Sequence, residues 1–162
     1  MSHAHNQGNS HGYRLVAPRW ADSAFSGEGA RKYGGRWNSP GRPMVYLGGS
    51  RALTALELLV HLTTPTSRSK PFRLMEVKIP EEFIADYPAG ILPDDWRDHP
   101  PGMHTMEIGD DWLQAGSQLA LRVPSTIIPE ETNLLLNPLH PKFSKLEVST
   151  GSHFSFDPRL QR

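Results

Sequence analysis

The chain contains no cysteine, which removes disulfides, thiolate nucleophiles, iron–sulfur clusters and Cys-containing zinc sites; a reducing cytosol is compatible with that usage. Net charge is missing too, because 17 Lys and Arg balance 17 Asp and Glu. Nothing in the global field therefore marks a sequence-independent binder of nucleic acid or of a membrane surface. No run of 18 apolar residues occurs, and the opening MSHAHNQGNSHG is polar rather than a charged head followed by an apolar stretch. The expectation is a soluble, unexported, cytoplasmic protein with no membrane partner. Several catalytic motifs are also absent: GxxxxGK followed by Ser or Thr, a GxGxxG that opens a helix after a strand, HExxH and GxSxG. The eight histidines lack the carboxylate spacing of a metal site, so no metal is expected.

At 162 residues the chain is expected to form one domain. Its 14 glycines and 15 prolines predict a loop-rich fold short of disorder. Residues 1–12 read as a flexible polar tail and residues 13–162 as the domain. His3, His5 and His11 in that tail suit a solvated segment better than a metal tract. Charge, although balanced overall, is unevenly placed. From Met1 to Arg51 there are seven basic residues (Arg14, Arg19, Arg31, Lys32, Arg36, Arg42 and Arg51) against Asp22 and Glu28, whereas Glu76 to Asp111 holds ten acids against Lys78 and Arg97. The acidic stretch reads as solvated faces. In the basic third, arginines alternate with glycines and aromatics, a mixture that suits a compact anionic ligand rather than a long polymer.

Short apolar runs closed by proline or glycine predict strands at Gly12–Ala17, Met44–Leu47, Phe72–Ile79, Leu119–Val123, Ile127–Ile128, Asn133–Leu136, Leu146–Ser149 and His153–Phe156. In Phe72–Ile79, Met75, Val77 and Ile79 alternate with Glu76 and Lys78, as one buried face requires. Ser50 is placed to cap a helix running to about Leu62, with Leu53, Leu56, Leu59, Val60 and Leu62 on its buried side. A second helix is expected around Glu107–Gly116. Pro80–Pro101 reads as irregular with one or two helical turns. Ala24–Pro43, AFSGEGARKYGGRWNSPGRP, reads as a long ordered loop, and such loops are often functional. About seven strands with two or three helices make an α+β domain.

The residues left to carry chemistry are Tyr13-Arg14, Gly34-Gly35-Arg36-Trp37-Asn38, Tyr46, Glu57, Val123-Pro124-Ser125 and the Asn137–Pro141 turn. SGEGARKYGGRWNSPGRPMVYL, then ALELLVHL, VPSTIIPEETNLLLNPLHPKF and the closing FSFDPRL resemble the RES domain family, named for its Arg, Glu and Ser. The likeness runs from about Tyr13 to Leu160, with no departure from the pattern. It implies an ADP-ribosyltransferase-like mixed β core with a few short helices. It also implies an NAD-consuming toxin of a type II toxin–antitoxin pair, its usual partner an Xre-like antitoxin. NAD would be cleaved by hydrolysis, by phosphorolysis or by transfer to a protein acceptor. Motif matching puts the family's arginines on Arg14 and Arg36, its tyrosine on Tyr46, its glutamate on Glu57 and its serine on Ser125.

Those residue types fit such roles. A guanidinium fork matches two oxygens of a pyrophosphate, so Arg14 and Arg36 suit anchoring of NAD. A carboxylate stabilises the oxocarbenium-like centre formed when the nicotinamide–ribose bond breaks, and Glu57 is the sole acid between Ala30 and Ser69. Tyr46 offers a ring on which nicotinamide can stack, and Ser125 a hydroxyl for the carboxamide or the ribose. Each has a plain structural alternative: an internal Glu–Arg bridge, loop-bracing arginines, a core tyrosine, a turn-capping serine. Trp37, His140 and the Asn137–Pro141 turn read as packing and turn geometry. A catalytically silent nucleotide-binding or regulatory module and an RNA-cleaving toxin are the competing functions, the second disfavoured by scattered histidines and zero net charge.

Overall fold

The computed structural model describes residues 8–162, so the expectation for His3 and His5 lies outside the described residues. In chain order the elements are β1 (Asn9–Val16), α1 (Glu28–Tyr33), β2 (Val45–Gly48), α2 (Arg51–Leu59), α3 (Pro65–Arg68), β3 (Phe72–Pro80) and β4 (Ile84–Asp86), then α4 (Met103–Ala115), β5 (Ala120–Pro124), β6 (Thr132–Leu136), β7 (Glu147–Val148) and β8 (Ser152–Phe154). One mixed sheet carries all eight strands in the order β4-β5-β6-β2-β1-β3-β7, with β8 also on β3. β4 and β5 run parallel and the other pairs antiparallel. The fold is the expected α+β domain.

Period-two alternation gives the sheet two buried faces. Val45, Leu47, Val77, Ile79, Ala120, Leu134 and Leu136 form one core with Phe83, Ile84 and Phe143 against it. Met44, Leu121, Val123 and Leu135 form the other with Trp37, covered by Ile108, Trp112 and Leu113 of α4. Met75, Val77 and Ile79 are buried as their alternation requires. Ser50 caps α2, its hydroxyl accepting from the Leu53 amide at 3.0 Å, which satisfies a donor the helix itself cannot.

Five expectations shift. The Ile127–Ile128 strand is a turn, because both amides donate to Ser125 Oγ at 3.1 Å instead of joining a ladder. The Ala24–Pro43 loop holds the short helix α1, whose Arg31 Nε donates to Glu28 one turn back at 2.8 Å. Strand β1 starts at Asn9, since the nine-residue β3 offers ladder partners from Pro80 downward, taking Asn9 to His11 out of the expected tail. Helix α2 ends at Leu59, short of Leu62. Within Pro80–Pro101 a three-residue strand, β4, lies beside β5.

The pairing of β1 is lopsided. It meets β3 at all eight residues but β2 only at Tyr13 opposite Gly48. Beyond that point the two strands diverge, and main-chain groups along the opening need other partners.

Candidate functional site

Arg14 follows Tyr13 on β1, at the opening between β1 and β2. Its NH1 donates to the Tyr46 carbonyl at 3.1 Å, replacing a ladder bond that the divergence removes. Its Nε is buried without a hydrogen-bond partner, and burial lowers the guanidinium from its ordinary value.

Gly48 decides where Glu57 sits. A side chain there would run into Thr54, so α2 rests directly on the sheet at this point. Thr54 Oγ1 donates to the Ser50 carbonyl at 2.7 Å, and Glu57 lies one helical turn further on. Directly across from Gly48 on β6 stands Asn133. Glu57 Oε1 accepts two hydrogen bonds, from Ser125 Oγ at 2.7 Å and from Asn133 Nδ2 at 2.8 Å. Oε2 takes no hydrogen bond from the described residues, and Glu57 as a whole is half-buried. Ser125 is fully buried. Its one hydroxyl proton goes to Glu57 while its oxygen accepts from two amides, so no proton remains for a ligand. In this arrangement the Ser125 hydroxyl is engaged with Glu57 rather than free.

Tyr46 projects from β2 into the Gly-rich segment. Its hydroxyl donates to Asn38 Oδ1 at 2.5 Å and accepts from the Trp37 amide at 3.0 Å. Burial raises the Tyr46 pKa above the ordinary phenol value, so the phenol stays protonated and able to donate. Gly35 passes so close that a Cβ would lie 2.6 Å from this hydroxyl. Asn38, fully buried, spreads its Nδ2 over the carbonyls of Ala30 at 2.9 Å, Ser39 at 3.2 Å and Arg42 at 2.9 Å. Asp110 of α4 accepts from the Ser39 amide at 3.0 Å and from its hydroxyl at 2.5 Å. The segment is thus ordered by side-chain anchors as much as by α1.

Those anchors hold Arg36, which points toward the segment after β4. Its NH1 donates to the carbonyls of Trp96 at 2.9 Å and Asp98 at 2.8 Å. Burial lowers this guanidinium, against the opposing pull of Glu57, Tyr46 and Asp98. Arg36 and Glu57 feel each other without forming a direct ion pair.

The structure thus gathers Tyr46, Arg36, Glu57 and Ser125, with Arg14 held against the Tyr46 main chain. Sequence reasoning missed Asn133, because an Asn at the head of the run TNLLL carries no local signal of a partner on a helix. Asn38 was grouped with the candidate motifs but its anchoring role was not foreseen. His140 is a turn residue as expected, its Nδ1 accepting from the Lys142 amide at 3.1 Å. Among the described residues no cluster of three or more His, Asp or Glu is arranged to hold a metal ion, and no helix is long and apolar enough to cross a membrane.

Comparison with known proteins gives a consistent set of matches. The RES domain model matches residues 11–158. The chain is 42% identical over 150 residues to Toxin Res of Yersinia enterocolitica serotype O:8 / biotype 1B, covering 92% of this chain and 98% of that protein. Toxin Res of Photorhabdus laumondii is 40% identical over 149 residues, covering 91% of this chain and 95% of that one. The Prs ADP-ribosylating toxin of a Sphingobium species is 40% identical over 144 residues, covering 85% and 87%.

Proposed function

The chain belongs to the RES domain family, and on that premise we propose that it is a toxin that cleaves the nicotinamide–ribose bond of NAD. Support comes from relatives named as toxins, one of them as ADP-ribosylating. The observation that carries the reading is the Glu57 carboxylate, held through Oε1 by Ser125 and Asn133 while Oε2 takes no hydrogen bond from the described residues, with the Arg36 guanidinium near enough to be influenced by its charge.

In this reading Arg14 and Arg36 bind the pyrophosphate. Each spends NH1 on main-chain carbonyls and keeps other donors for a ligand. Tyr46 orders the Gly-rich wall and presents its ring to nicotinamide. The bonding pair leaves with the nicotinamide nitrogen, positive charge grows at the ribose carbon, and Glu57 Oε2 stabilises that charge while accepting from a ribose hydroxyl. Ser125 holds Glu57 and does not touch the substrate. An oxygen nucleophile then completes the reaction, whether water, phosphate or a protein side chain.

A cytoplasmic enzyme that drains NAD needs restraint. An Xre-like antitoxin that lays an acidic or carboxylate-bearing segment over the Arg14–Arg36 mouth would supply it by occlusion. Any operator binding then belongs to the antitoxin, since the toxin's neutral charge gives little counterion release.

The deciding experiment is incubation of purified protein with NAD, followed by mass analysis of products with and without phosphate. Nicotinamide release with free ADP-ribose, its 1″-phosphate or a mass-shifted protein supports the reading and names the acceptor. NAD binding by calorimetry with no turnover points instead to a silent nucleotide-binding module, and RNA loss without NAD loss to a nuclease.

A further inference from the structure

Two donors, both distant from Glu57 in sequence, reach one oxygen of its carboxylate. Ser125 follows β5 and Asn133 lies within β6, yet both hydrogen bonds end on Oε1. A carboxylate with every acceptor site filled would have none left for substrate, and one held at neither oxygen would rotate about its last torsion. Pinning a single oxygen from two directions fixes the plane of the group and leaves Oε2 presented.

Asn133 is placed for this by register. Tyr13, Gly48 and Asn133 form one row across β1, β2 and β6. The middle position has no side chain, so α2 descends onto the sheet and the Asn133 amide reaches Glu57 beneath it. The Asn133 Oδ1 is buried and has no hydrogen-bond partner. A residue kept for packing alone would not carry that unpaired acceptor, whose burial costs stability. Its Nδ2 is the atom in use.

We propose that Asn133 is a positioning residue that acts through Glu57, sharing Oε1 with Ser125 so that Oε2 alone meets the ribose. This inference rests on the NAD-cleaving reading, and its test separates the two. Asn133→Leu removes the donor while keeping comparable volume and abolishing the unpaired Oδ1. Asn133→Asp keeps the shape and replaces the donor with an acceptor. Both variants are expected to lose about 10- to 100-fold in kcat, the scale of a misplaced reacting group. KM for NAD should stay within about threefold, because the arginines of the mouth are untouched. Asn133→Leu should unfold at the same temperature as wild type or higher. A purely packing role predicts the reverse pattern, with kcat per folded molecule unchanged.

High-resolution crystal structures of wild type and Asn133→Leu provide the readout that needs no turnover. The Glu57 carboxylate should hold one orientation in wild type and several in the variant. If Asn133→Leu keeps a single Glu57 orientation, or keeps kcat within twofold of an active wild type, the inference is overturned. If wild type leaves NAD intact, the NAD reading falls instead, and the Glu57 orientations alone decide the role of Asn133.

Discussion

At the Glu57 corner the protein answers its own polar groups. Ser125 donates to the carboxylate and accepts from two amides, and Asn133 donates beside it, the first just after β5 and the second within β6. At the arginine corner the contacts are sparser. Arg14 and Arg36 each hold main-chain carbonyls through NH1, and Arg14 Nε is left with no partner. The contrast separates two tasks. A group that stabilises charge in a transition state gains by being oriented before the substrate arrives, whereas groups that grip a polyanion need donors still unspent.

The comparison breaks most severely at its fixed end. Glu57→Gln, which keeps the shape and removes the charge, is expected to lower NAD cleavage on the order of 10²–10³-fold with an unchanged melting curve, read as nicotinamide release. At the gripping end, Arg36→Ala is expected to raise KM for NAD about 10- to 100-fold, the worth of hydrogen bonds to a charged group. Arg36→Lys should recover little of that loss, since an ammonium cannot reproduce the planar fork. Initial-rate kinetics across NAD concentration separate this KM effect from the kcat effect at Glu57.

Between the two corners stands the Tyr46 anchor. Tyr46→Phe leaves the Trp37 amide and Asn38 Oδ1 without their partner and should cost about 1–3 kcal/mol in urea unfolding. Gly35→Ala pushes a methyl into the same hydroxyl and should cost a similar ~1–3 kcal/mol. Combining them should cost less than their sum, because both disturb one contact. The smallest effect belongs to an exposed pair beside the segment that accepts from Arg36. The hydrogen bond that the His104 imidazole donates to the Asp95 carboxylate raises the imidazole pKa above the ordinary value. Any stability this pair adds is present below the unfolded-state value and lost as pH rises through the folded one. NMR titration of His104 should show the raised midpoint, and Asp95→Asn should return it toward the ordinary imidazole value.

Much of the fold was legible because it depends on local pattern. The alternation in β3, the Ser50 cap and the proline-closed strands each follow from a short stretch of chain. The misreadings arose where a side chain or a neighbouring strand overrode that pattern. Ile127–Ile128 has the composition of a strand, yet Ser125 takes both amides. Asn9–His11 has the composition of a tail, yet β3 gives it a ladder. At the site, Glu57 was legible as a lone acid in a basic and apolar stretch, and the arginines by their glycine-rich setting. Asn133 was not, since nothing near it in the chain distinguishes it from a polar residue at a strand end.

Composition and motif order alone determined the α+β class and the absence of cysteine chemistry, and they offered Glu57, Arg14, Arg36 and Tyr46 as candidates. Only the tertiary structure decided which group serves which. Ser125 and Asn133 lie 68 and 76 residues from Glu57 along the chain, and what joins them is strand register and the close seat of α2 at Gly48. Hydrogen bonds reach about 3 Å, so a one-residue slip of β6 would turn Asn133 to the opposite face and leave Glu57 with a single support.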